Sequence, residues 1–157
     1  MSLRDDRDGL ESLPLKLMIV VVVASLSVIP AGQALDGFRN RDFVARAELA
    51  LESIISTAQS LMIDGPGGVR TLHLDFEGAG HIKFELVVIG DSRGGPNMSA
   101  AVLRLASGTS IVRTATEPEV WMKAPSGDSL IITYPICDLR LSTQLYNRTA
   151  FVLAELV

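Results

Sequence analysis

Little in this chain is equipped for chemistry. Its 157 residues include one cysteine, Cys137, which excludes an intrachain disulfide framework and leaves no cysteine spacing for a metal. In TYPICDL that residue reads as a small buried hydrophobe. Histidines number two, His73 and His81, whereas zinc asks for three or four convergent ligands. No G-x-S-x-G nucleophile elbow occurs. The glycine-rich stretches Gly65–Gly68 and Gly90–Gly95 are not followed by Lys-Ser/Thr, so neither is a phosphate loop. Basic residues are outnumbered 14 to 18, for a net charge of −4, which speaks against a nucleic-acid partner. Aromatic residues make up 5% of the chain, and Trp121 and Tyr146 read as ordinary strand aromatics. No catalytic residue, cofactor or resident metal is expected, and the chain is not expected to be an enzyme.

Charge is missing in one long stretch as well. From Leu17 to Leu35 no side chain is ionised, a run of 19 residues. At about 1.5 Å per residue such a helix reaches about 28 Å, close to the hydrocarbon thickness of a bilayer. The sequence therefore predicts a transmembrane helix over 13–35, preceded by a polar leader, 1–12. Ser12 is placed to cap it, with Pro14 in the first turn and Pro30 as a kink. Ser27 and Ala31 form a small-xxx-small pair that admits a neighbouring helix. Leu17, Val20, Val21, Val22, Ala24, Leu26, Ser27 and Ala31 are the candidate assembly residues. Arg4, Arg7 and Lys16 before the run are balanced by Arg39, Arg41 and Arg46 after it, so charge alone does not set topology. The sequons at Asn97 and Asn147 are candidate glycosylation sites and suit a C-terminal part outside the cell. Gly32-Gln33-Ala34 offers an alternative, secretory cleavage after Ala34.

Beyond Leu35 apolar residues recur at Ala47, Leu51, Ile54, Ile55, Ala58, Leu61 and Met62, the stripe of an amphipathic helix over 36–64. Asp64-Gly65-Pro66-Gly67-Gly68 ends it. The period then changes to two. In VRTLHLDFE-GAG-HIKFELVVI, a hairpin about Ala79 would pair Leu72 with Leu86, Leu74 with Phe84 and Phe76 with Ile82. Its other face would pair His73 with Glu85, Asp75 with Lys83 and Glu77 with His81. That polar face can be drawn as a metal site, but cross-strand charge pairs account for every residue in it. Further short alternating runs (98–106, 109–115, 119–123, 129–134, 139–146, 149–157) predict an antiparallel domain over 69–157. The expected fold class is thus α+β: a long N-terminal transmembrane and amphipathic α-helix, then an antiparallel β-sheet or β-sandwich.

That order resembles the archaeal type IV pilin-like proteins with class III signal peptides, the pilins and archaellins. The carriers are Gly9-Leu10-Glu11, Leu13-Pro14-Leu15, the apolar run, and the helix ending in GPGG. The resemblance implies processing between Gly9 and Leu10 by a prepilin peptidase. It also implies assembly with copies of itself or other pilin-like subunits, and a place in the cell membrane with the C-terminal domain outside, or in a surface filament. Asp8 stands where a basic residue is usual, and Pro14 where bacterial pilins carry an acid. The departures keep open a membrane-anchored binding or accessory module that does not polymerise, as the archaellum stator proteins are.

Overall fold

The computed structural model describes residues 5–78 and 81–157, with backbone alone for 5–15 and 26–33. Its elements are one helix, α1 (Asp5–Asp64), and eight strands: β1 (Val69–Asp75), β2 (Phe84–Ile89), β3 (Ala100–Leu105), β4 (Ser110–Thr114), β5 (Met122–Lys123), β6 (Leu130–Ile132), β7 (Ile136–Tyr146) and β8 (Thr149–Leu156). By contacts the chain divides into two compact units, Met1–Phe38 and Arg39–Val157.

In the first unit, α1 is already formed at Asp5, so Ser12 and Pro14 lie inside the helix and not at its start. The expected membrane span must be corrected. Among the described residues no helix is long and apolar enough to cross a membrane. The membrane-anchored localisation, with the domain outside or in a surface filament, loses its support with the span.

In the second unit the distal part of α1 and both sheets share one buried cluster. Phe43, Ala47, Leu51, Ile54, Ala58 and Leu61 are each no more than 1% exposed. Their steps of three and four put them on one face of the helix. Burying each large member contributes about 1.5–3 kcal/mol. Phe43 extends the stripe a turn ahead of where periodicity placed it. At the C-terminal end the Leu61 carbonyl accepts the Gly65 amide at 3.1 Å and, as a second donor, the Thr143 hydroxyl at 3.1 Å, which ties the helix end to β7. The Arg113 guanidinium reaches Glu48 at 3.0 Å, and the Gln59 amide donates to the Pro118 carbonyl at 3.3 Å.

One sheet has the order β1-β7-β8-β5, the other β4-β3-β2-β6. The first is mixed, because β5 joins β8 in parallel, so the antiparallel fold class is corrected here too. β1 and β2 do not form the expected hairpin. β1 pairs with β7 (Leu72 opposite Leu139, His73 opposite Asp138, Leu74 opposite Cys137), while β2 lies between β3 and β6. Ala79, the expected pivot, lies outside the described residues. The physical reason is burial. A two-stranded ribbon would cover one face only, and Leu74 and Val87 are 1% and 0% exposed because each sits within a sheet facing the common core. Phe76 and Phe84 still meet, stacked at 5.8 Å, without a shared ladder. Gly78 permits the crossing, since a Cβ there would lie 2.3 Å from the Ile82 carbonyl oxygen.

β7 and β8 are joined by Asn147 and Arg148, with φ of 49° and 66°, and Tyr146 pairs directly with Thr149. Two successive left-handed residues match the twist of the flanking strands, but arginine is poorly suited to the second position. Arg148→Gly is expected to stabilise the chain by about 0.5–1 kcal/mol in urea titration. Leu51→Ala removes a fully buried side chain from the helix stripe and is expected to cost about 2–5 kcal/mol in the same measurement.

Candidate functional site

The apolar segment of α1 is the first candidate. Leu17, Met18, Ile19, Val20, Val21, Val22 and Val23 are between 49% and 68% exposed. Successive helical residues step by about 100°, so seven of them occupy every side of the helix. Within these seven residues the helix has no polar side to turn toward water. Of the candidate assembly residues, Leu17, Val20, Val21, Val22 and Ala24 are exposed, and the Ser25 hydroxyl donates to the Val21 carbonyl at 2.7 Å. Leu26, Ser27 and Ala31 lie in the helix, their side chains outside the described residues. The same holds for Gly9 and Leu10, through which α1 runs continuously.

The second candidate is the polar hairpin face, and the structure takes it apart. His73 faces Asp138, with Nδ1 and Oδ1 2.7 Å apart, on the outer side of the first sheet. Glu85 belongs to the other sheet. The Asp75 carboxylate instead accepts the Glu77 amide at 2.8 Å, closing a local turn. Among the described residues no group of three or more His, Cys, Asp or Glu side chains could hold a metal ion.

A third cluster was not legible in the sequence. Trp121 and Phe151 pack at 5.3 Å, and the Lys123 ammonium lies 4.9 Å from the Trp121 ring and 4.1 Å from the Phe151 ring. The Arg93 guanidinium stands 5.9 Å from the same indole. The indole N–H donates to the Asp91 carbonyl at 3.0 Å, which ties down the loop Gly90–Asn97. The loop can approach this closely because Gly90 has φ +67° and lies against the Met122 carbonyl, where a Cβ would clash. The cluster fastens a loop to a sheet edge. Lys123 and Phe151 are far apart in sequence, and only the parallel β5–β8 pairing joins them.

Of the two sequons, Asn147 is exposed at the β7–β8 turn, and Asn97 is half-buried with its carbonyl accepting the Ala100 amide at 2.9 Å. A shallow groove of about 330 Å³ is lined by Asn40, Arg41, Val44, Ala45, Glu48 and Ile82. The buried side-chain oxygen of Asn40 has no hydrogen-bond partner there among the described residues. Comparisons with protein-family models, with curated proteins and with solved structures found no match. The site is therefore defined by its own geometry: an exposed, all-round apolar helical segment on a chain whose second unit is a helix-covered pair of sheets.

Cys137 is half-buried opposite Leu74, and burial, aided by the neighbouring Asp138 carboxylate, pushes its thiol above the ordinary range. The folded chain thus holds this proton to higher pH than the unfolded chain does. The stabilising contribution is complete below the ordinary value of an unfolded thiol and is lost as pH rises through the folded one. Since the thiolate is the nucleophile, alkylation by iodoacetamide at pH 8.5 is expected to be slower in the native chain than in urea. Asp138→Asn should narrow the difference.

Proposed function

We propose that this protein is a non-enzymatic structural subunit that assembles with copies of itself through the helical segment Leu17–Val23, in the manner of the pilin-like filament proteins it resembles. The observation that carries the reading is the exposure of seven consecutive apolar residues around the whole circumference of α1. Such a segment is unfavourable alone in water and becomes favourable when several like it bundle, each covering its neighbours. The Val-rich composition suits close helix packing: β-branched side chains are stiff at χ1, so they lose little freedom when fixed in a contact. The second unit has its own core, supplied by the distal part of α1 and both sheets, and does not need this segment for stability. That leaves the segment available for association.

The test is the oligomeric state of the full chain. Wild type is expected to form concentration-dependent, high-mass multimers in sedimentation velocity. Val22→Arg places a charge where the bundle is dry, and should weaken association at least about a hundredfold, near 3 kcal/mol. The urea midpoint of the second unit should stay unchanged. A wild-type chain that remains a monomer across the accessible concentration range would refute the reading.

A further inference from the structure

The outer faces of the two sheets differ in kind. That of the first sheet is mixed: His73 opposes Asp138 and Arg140 opposes Glu155 at 3.4 Å, while Val69, Ile136 and Tyr146 stand exposed at the ends of the same face. That of the second sheet carries an apolar row across all its strands, Val112–Val102–Val88–Ile131, each residue directly opposite the next. Val112 and Ile131 are 48% and 57% exposed, and Val102 and Val88 between them are half-buried. β-Branched residues of nearly equal height make this face flat. The row also reads nearly alike from either end about the midline between β3 and β2: Val, Val, then Val, Ile.

Charge follows the same symmetry. One step along the strands, Arg104 on β3 lies on one side of that midline and Glu85 on β2 on the other. A β-bulge between Phe84 and Leu86 sets Glu85 beside Leu86, which pairs with Arg104. Neither Arg104 nor Glu85 has an ion-pair partner within the chain among the described residues. A two-fold axis in the plane of the face, parallel to the strands and between β2 and β3, would lay β3 of one copy over β2 of the other. That operation brings Val102 over Val88, Val112 over Ile131 and each Arg104 to the Glu85 of the second copy.

From this self-complementarity we infer that the outer face of the β4-β3-β2-β6 sheet is an isologous interface with a second copy of this chain. Sheets pack face to face at about 10 Å with strands within about 30° of each other, and a flat row of valines fits that mode. Four strands about 4.8 Å apart span roughly 19 Å, and strands of up to 6 residues run about 20 Å, so the face is roughly 400 Å² and smaller than the roughly 800 Å² per partner of a standard stable complex. The contact is therefore weak between free chains and gains strength when another contact already holds the copies together. It does not rest on the helix-bundle reading, and it is tested without it.

The experiment uses the full chain carrying Val22→Arg, to remove helix bundling, and Cys137→Ser, to remove the native thiol. Chains with Val88→Cys are mixed with chains with Val102→Cys and oxidised. The expected product is the mixed disulfide, in excess over either homodimer and over a Ser142→Cys control on the opposite sheet. Arg104→Glu should lower the yield about tenfold, a loss of about 1.4 kcal/mol, and adding Glu85→Arg should restore it. A mixed yield no higher than the control, or a charge swap that fails to rescue, overturns the inference and assigns the face to some other partner. Circular dichroism of each variant checks that the sheets are intact.

Discussion

The structure depends on burial of one face of α1, from Phe43 to Leu61, against the inner positions of both sheets. Seven helix residues and the inward residues of β1, β2, β3, β5, β6, β7 and β8 belong to one buried cluster. Two sheets of four strands, with β5 only two residues long and β6 three, offer a limited core between them. The helix supplies the apolar surface they lack. Polar contacts then fix its position: Thr143 to the Leu61 carbonyl, Arg113 to Glu48, and Arg70 to Asp64. The ion pairs are half-exposed and contribute little to stability, so their role is alignment.

This shared core also dictates the path of the chain. A hairpin of β1 and β2 would satisfy hydrogen bonds locally and match side chains on both faces. Placing them in separate sheets satisfies the same hydrogen bonds with β7, β3 and β6, and gives Leu74, Val87 and Ile89 a core on the far side. Local pairing and global burial compete, and burial wins because many more apolar atoms leave water. His73 finds Asp138 in place of Glu85, so the polar complementarity that made the hairpin attractive is recovered with a different strand.

What can associate follows from what the core leaves uncovered. Among the described residues, two of the apolar surfaces left uncovered are contiguous along an element or a sheet: the segment Leu17–Val23 and the outer row of the second sheet. One is cylindrical and suits several neighbours; the other is flat, with charges arranged about its midline, and suits one. Among the described residues the ion pairs of the domain join strand to strand (His73–Asp138, Arg140–Glu155) or strand to helix (Arg113–Glu48). Their arrangement orders strands and does not converge on any reacting atom.

Most elements were written in the local pattern of the chain. The helical stripe at Ala47, Leu51, Ile54, Ala58 and Leu61, the stop at Asp64-Gly65-Pro66, and the segments that hold β3, β4, β5, β6 and β8 were legible, because period and turn residues are local properties; β7 begins at Ile136, three residues ahead of its expected run. Uncharged length was legible too, but what it means was not. A run from Leu17 to Leu35 reads as a membrane span, while among the described residues no helix is long and apolar enough to cross one. Strand partners, the parallel pairing of β5 with β8, and the cluster of Arg93, Trp121, Lys123 and Phe151 emerged from the assembled fold. It alone showed that Val112, Val102, Val88 and Ile131 line up. Alternation assigns a residue to a face but carries no information about the neighbour across the ladder. That neighbour is chosen by how two sheets and a helix enclose one core.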